Sequence, residues 1–197
     1  MTGGLILHED GRQRCPWCGT APDYMAYHDE EWGVPERDGR ALFEKLMLDG
    51  FQAGLAWITI LRKRDGFRRR FEGFEPKRLA EWGEAEVAAA LADAGIVRHR
   101  GKIEATIGNA RGYLEIEARE GDFSRFLWSF VGGAPIVNAW ETIGQAPTES
   151  AEAKAMSKAL KQYGFRFVGP TIVYAFMQAV GMVDDHLVGC HAKRATA

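Results

Sequence analysis

The stretch Asp38-Gly39-Arg40-Ala41-Leu42-Phe43-Glu44-Lys45-Leu46-Met47 decides the fold class. Its large apolar residues recur at i, i+1, i+4 and i+5, which gathers them on one stripe of a helix and would scatter them over both faces of a strand. Asp38 is placed to cap the first turn with its carboxylate, and the stripe predicts a helix ending before Gly50. Working outward, the same spacing returns. A second apolar segment covers residues 51–61, Pro76 suits the first turn of a short helix through Trp82, and the Ala-rich residues 84–94 close at Gly95. Ile103, Ile107, Ala110 and Leu114 mark a long helix, and Asp122 can cap residues 123–131. Residues 149–163 predict a helix stopped by Gly164, and Pro170 opens another that runs to Gly181. Sustained alternation is almost absent, so the chain is expected to be all-α. Residues 134–148, with two prolines, read as a loop, and Phe165-Arg166-Phe167-Val168-Gly169 as a short hairpin between two helices.

The division expected is a flexible extension over residues 1–14, one domain over 15–191, and a loose tail over 192–197. The domain is read as one body or two helical lobes, with the hairpin motif inside residues 150–181. With 197 residues, 46% of them hydrophobic, the chain can bury a core, which excludes global disorder. The 25 Lys and Arg against 27 Asp and Glu leave a net charge of −2, which excludes a protein that coats nucleic acid with bulk positive charge. Contact with DNA must then be local. Arg62, Lys63, Arg64, Arg68, Arg69 and Arg70 form one basic cluster, and Arg98, His99, Arg100 and Lys102 another; each serves equally well as a solvated face. No apolar run reaches the roughly 20 residues of a membrane span, and residues 1–14 lack a signal-peptide pattern. A cytoplasmic protein without membrane contact is expected.

Three cysteines do not suit a disulfide framework and point towards metal or chemistry. Cys15 and His28 stand near one end of the chain, His186 and Cys190 near the other, and two thiolates with two imidazoles suit tetrahedral zinc. The three residues between His186 and Cys190 put both on one helix face or one tight loop. Such a site, filled by protein, would be structural and would tie the chain ends together. Taken singly, each of these residues is equally served by a place in the core, and Cys18 and His191 are alternative ligands. Cys15-Pro16-Trp17-Cys18 also matches a dithiol redox motif, which needs a βαβ setting not visible here.

Trp17, Tyr24, Tyr27 and Trp32 crowd the N-terminal segment, and Trp57 follows the glycine-punctuated residues 50–56. That density suits stacking on a flat, electron-poor ring, where each face contributes on the order of 1–3 kcal/mol. Trp82, Trp128 and Trp140 are expected in the core. Asp49, at the end of an apolar helix, is read either as a solvated cap or as a carboxylate that accepts a hydrogen bond from an exocyclic amine.

Four segments then carry a resemblance: Tyr27-His28-Asp29-Glu30-Glu31-Trp32-Gly33-Val34-Pro35, Gln52-Ala53-Gly54-Leu55-Ala56-Trp57-Ile58-Thr59, Gly95-Ile96-Val97-Arg98-His99-Arg100-Gly101-Lys102-Ile103 and Phe126-Leu127-Trp128-Ser129-Phe130-Val131. Together they resemble the 3-methyladenine-DNA glycosylase I family, from about Cys15 to Cys190. The resemblance implies the helix-hairpin-helix glycosylase fold and a structural zinc held by Cys15, His28, His186 and Cys190. It implies that Tyr27 and Trp57 stack on the damaged base, supported by Trp17, Tyr24 and Trp32. Gln52 and Leu55 would fill the gap left in the duplex, and backbone amides near Gly169 and Thr171 would hold a phosphate. The family pattern usually carries Glu where this chain has Asp49, shortening the reach by about one C–C bond. Asp184, in Val183-Asp184-Asp185-His186, is a candidate catalytic carboxylate, with orientation of His186 as its other role.

The activity so implied is excision of 3-methyladenine from alkylated double-stranded DNA by a monofunctional, monomeric enzyme, with free 3-methyladenine as product. Asp49 and Asp184 would be the catalytic carboxylates. The competing expectation is a zinc-stabilised damage-binding module without catalysis. A zinc hydrolase ranks third and would need an open metal position.

Overall fold

In a computed structural model that describes residues 3–194, the Asp38 stripe is the central helix of the molecule. Ten α-helices and four two-residue strands are present among the described residues. Helix α1 spans Pro22–Glu30, α2 Gly39–Gln52, α3 Trp57–Leu61, α4 Arg64–Arg70 and α5 Pro76–Leu79. Then follow α6 (Glu84–Ala92), α7 (Arg100–Glu120), α8 (Phe123–Ser129), α9 (Ala151–Gln162) and α10 (Pro170–Ala179). None is long and apolar enough to cross a membrane. The fold is mostly helical, as the periodicity predicts.

Asp38 caps α2 by accepting from the Ala41 amide at 2.8 Å. Leu42, Phe43, Leu46 and Met47 are at most 3% exposed, and α2 packs against both α7 and α10. Contrary to expectation, α2 runs through Gly50 to Gln52. Gly50 is not a stop but a point of close approach: a Cβ there would meet the Cβ and carbonyl of Phe167 at 3.4 Å. The missing side chain lets the hairpin of residues 165–169 lie against the central helix.

The buried apolar residues from Tyr27 to Val183 form one contiguous core. A small second cluster of Cys15, Leu187 and Cys190 joins the two ends of the described chain. Trp128 and Trp82 are core residues, 1% and 7% exposed. Trp140 differs: it is only partly buried, and its indole N–H donates to Asp185 at 2.8 Å.

Two further departures concern residues read as loose. β1 (Ile6–Leu7) pairs antiparallel with β2 (Gln13–Arg14), with Ile6 opposite Arg14. Arg14 is 3% exposed and bonded to Asp10 and Asp29, so this extension is a docked hairpin. The predicted loop 134–148 contains β3 (Ile136–Val137), which pairs parallel with β4 (Val183–Asp184). At the other end, Lys193 donates to the carbonyls of Asn138 and His186. Residues 1–2 of the expected extension and 195–197 of the expected tail lie outside the described residues.

Candidate active site

A cavity of about 230 Å³ opens where α1, α2, α3 and α10 converge. All five aromatic residues singled out in the sequence line it: Trp17 from the turn after Cys15, Tyr24 and Tyr27 from α1, Trp32 just beyond α1, and Trp57 as the first residue of α3. Trp17 packs edge-on against Tyr24 at 5.2 Å and against Trp32 at 4.9 Å. The rings of Tyr27 and Trp57 lie 5.4 Å apart at 41°. A slot that sandwiches a base between two parallel rings needs about 7 Å, twice a carbon contact distance. Tyr27 and Trp57 therefore form adjoining walls of a corner in this arrangement.

Asp49 and Gln52 from α2 also line the cavity, as does Asp185. Asp49 is 3% exposed and one of its carboxylate oxygens, Oδ2, has no partner. The indole nitrogens of Trp17 and Trp57 are likewise buried without partners. Among the described residues the remaining such side-chain atom is Nε2 of His8, so three of the four buried orphans belong to residues that line one cavity. A buried polar group without a partner costs roughly 1–3 kcal/mol, and their concentration here marks a ligand site.

The sequence reading missed Lys45. It sits one turn before Asp49 on α2, and its Nζ lies 2.5 Å from Asp49 Oδ1 and 3.8 Å from the centre of the Trp57 ring. The i, i+4 spacing was a legible signal, although such pairs usually lie on a solvated face. Burial pushes the Asp49 carboxyl up and the Lys45 ammonium down, and each charge opposes the shift of the other.

Asp184 does not line the cavity. It is 1% exposed, and its Oδ1 bonds the backbone amide and Nδ1 of His186, both at 3.0 Å. Its hydrogen bonds place it in the alternative role of orienting His186. The carboxylate at the cavity wall is its neighbour. Asp185 accepts from Asn138, Trp140, Tyr174 and Gln178 at 2.7–2.8 Å.

The segments expected to meet DNA flank this cavity. After α2 the chain turns through Gly54, at φ +84°, and presents Leu55 at 42% exposure. Lys102 of α7 holds that turn, donating to the carbonyls of Phe51 at 2.9 Å and Ala53 at 2.7 Å. The hairpin is held from the same helix by Asn109, and Phe167 within it takes a positive φ of 55°. Gly169 is the N-cap of α10 with no side-chain cap, and Thr171 in its first turn is exposed. The leading amides of α10 are thus left for an outside acceptor.

Of the four expected zinc ligands the structure gathers three. The ligand atoms of Cys15, His28 and Cys190 lie within 4.8 Å of one another. His186 stands beside them, its ring edge-on to His28 at 5.0 Å and its Nε2 3.4 Å from the His28 carbonyl, outside that cluster. The donor chemistry fits zinc nonetheless. His28 Nδ1 is bonded to Asp29 at 2.8 Å and His186 Nδ1 to Asp184, which leaves Nε2 of each ring for a metal. The Cys15 thiol donates to Cys190, holding Cys190 well below the usual thiol range and pushing Cys15 above it. Cys18 bonds the Cys15 carbonyl instead, and burial pushes it up to about 11. His191 bonds Asp29 and so supports His28 from outside.

The sequence model of the methyladenine glycosylase family matches residues 17–193. The chain belongs to this family. It is 52% identical over 178 residues to DNA-3-methyladenine glycosylase 1 of Escherichia coli (strain K12), covering 90% of this chain and 95% of that protein. It is 49% identical over 180 residues to DNA-3-methyladenine glycosylase of Haemophilus influenzae, covering 91% and 97%. Among solved structures it is similar to a 3-methyladenine DNA glycosylase I, with a TM-score of 0.90 at 49% identity over 92% of this chain and all of the other. It is equally similar, at a TM-score of 0.90, 40% identity and coverage of 93% and 99%, to a variant of such a glycosylase in complex with 3-methyladenine. Methyladenine glycosylases of this size are thus matched over nearly their whole length.

Proposed function

We propose that this methyladenine glycosylase hydrolyses the N-glycosidic bond of 3-methyladenine in alkylated double-stranded DNA, leaving an abasic site. The observation that carries the reading is the aromatic cavity lined by Trp17, Asp49 and Trp57, whose indole nitrogens and Oδ2 are buried without partners. The proteins it resembles along nearly its full length are named for that base.

The target nucleotide is flipped out of the duplex, at a cost of a few kcal/mol, and its base enters the corner of Tyr27 and Trp57. Leu55 and Gln52, on the turn held by Lys102, take its place in the stack. Hairpin and α10 amides around Gly169 and Thr171 hold a backbone phosphate. Methylation has already made the base cationic, so it leaves without protonation. The bond from the sugar carbon to the ring nitrogen breaks, its electron pair departs with the base, and water adds to the sugar carbon and releases a proton to solvent. The protein's task is to stabilise the separating charges.

Asp49 accepts from the exocyclic amine of the base. The four donors on Asp185 occupy the lone pairs of its carboxylate, so it acts as a fixed negative charge for the sugar cation and not as a base. At rest Lys45 is paired with Asp49, and with a base bound a carboxylate partner remains in reach at Glu31 and Glu44, which supports a monofunctional enzyme without Schiff-base chemistry. Zinc on Cys15, His28, Cys190 and His186 would fasten the chain ends and so fix Trp17 and Tyr27 next to two of its ligands. The cavity is complete within one chain, which supports a monomer.

Chromatography of the bases released from methylated duplex DNA tests the reading. Free 3-methyladenine is the expected product. Binding to the methylated duplex without release of any base would instead establish a damage-binding module.

A further inference from the structure

In the resting cavity both positions suited to a cationic purine are already filled by a cation. The Lys45 ammonium lies 3.8 Å from the Trp57 ring centre and bonds the Asp49 carboxylate, so it takes the stacking face and the counter-charge together. We propose that Lys45 is a specificity-determining residue, a resident competitor whose ammonium must leave Trp57 and Asp49 before a base can occupy them. The proposal rests on the cavity being the base pocket.

The structure provides the place to which the ammonium moves. A second cavity, of about 240 Å³, lies behind the first, and Tyr27, Lys45 and Ala179 line both. Its walls carry Glu31 and Glu44. Each is paired with an arginine, Arg64 and Arg68 respectively, but a carboxylate has lone pairs for more than one donor. The four-carbon stem of lysine lets the ammonium swing from one cavity to the other without movement of α2. Glu31 attracts the ammonium across the shared wall, against an opposing repulsion from Arg64.

The exchange favours charged over neutral purines. Removing Lys45 leaves the Asp49 carboxylate buried and uncompensated, and only another cation restores the pair. An alkylated, cationic base does so. An unmodified adenine does not, and its stacking alone must offset the broken ion pair. Asp49 supplies the preference for charge, and Lys45 sets the threshold that any base has to exceed.

The test uses the zinc-loaded full chain and two ligands titrated by calorimetry at neutral pH: 3,9-dimethyladeninium, which is charged there, and 9-methyladenine, which is neutral. The expected result is that Lys45→Met binds the cation about tenfold more tightly than the unsubstituted protein, because the competitor is gone. Neutral 9-methyladenine should bind detectably to the variant alone. Unchanged or weaker binding of the cation by Lys45→Met would overturn the proposal and make Lys45 a bystander or a donor to the base. A second measurement needs no variant. In a crystal structure of the unsubstituted protein with 3,9-dimethyladeninium, Nζ should lie in the second cavity near Glu31 and Glu44. An ammonium still on Asp49 beside the bound purine would overturn the proposal equally. Failure of both proteins to bind either purine would instead remove the base-pocket reading beneath it.

Discussion

Asn109 holds Arg166 by both of its backbone polar groups: its side-chain oxygen accepts from the Arg166 amide at 2.8 Å and its amide nitrogen donates to the Arg166 carbonyl at 3.0 Å. Lys102, seven residues earlier on α7, holds the turn that presents Leu55. Two turns of one helix thus fix the spacing between the hairpin and Leu55, the residue proposed to enter the duplex. Asn109→Ala leaves both Arg166 groups without partners and should cost about 2–4 kcal/mol of stability. Affinity for duplex DNA should fall while binding of free 3-methyladenine persists. Denaturant titration and a DNA-binding isotherm check both, and unchanged DNA affinity in the folded variant would contradict the role given to the hairpin.

The ends of the chain should carry about one equivalent of zinc, measurable by elemental analysis of protein purified without chelators. Cys190→Ala should lower the thermal midpoint and release the metal.

Asp184→Asn should weaken zinc roughly ten- to a hundredfold, as loss of a partner to a ligating imidazole does. Excision per zinc-loaded molecule should remain. A large loss of excision with zinc retained would return Asp184 to the catalytic role that its position in the structure argues against.

Borohydride added during turnover of methylated DNA should trap no covalent adduct, because the one lysine lining the cavity is paired with Asp49 at rest and swings towards Glu31 and Glu44 when a base enters. A trapped complex lost in Lys45→Met would show that the amine reaches the sugar.

Trp57→Ala and Trp140→Ala should separate two functions. Trp57 is proposed as a stacking face, so its loss should weaken base binding about tenfold with little change in the thermal midpoint. Trp140 packs on the Cys15, Leu187 and Cys190 cluster and donates to Asp185, so its loss should lower stability and slow excision without weakening the free base. Fluorescence titration with 3-methyladenine beside thermal melts measures both.

How much could be read in the sequence depends on the physical range of each signal. The Asp38 cap and the stripe after it are local, and α2 begins where they place it. Gly50 misled because a glycine that ends a helix and one that admits a neighbouring backbone read alike until Phe167 is in place. The strands at Ile6–Leu7 and Ile136–Val137 are two residues long, too short for alternation to register. The aromatic walls were legible from density alone, and the cluster of Cys15, His28 and Cys190 from residue type. The spacing of Lys45 to Asp49 was visible too, but such a pair is ordinary in sequence and acquires meaning only beside the Trp57 ring. Between Asp184 and Asp185, only the direction of β4 decides which carboxylate faces the cavity.

The central claim is that this cavity excises a cationic base with Asp49 as its recognising carboxylate. Single-turnover release of 3-methyladenine from methylated duplex DNA, compared for the unsubstituted chain and Asp49→Asn at equal zinc content, tests it most directly. The unsubstituted protein should release the base, and Asp49→Asn should be slower by about ten- to a hundredfold, the worth of a charged hydrogen bond of roughly 1.5–3 kcal/mol. Equal rates for the two proteins, or no released base from either, would contradict the account.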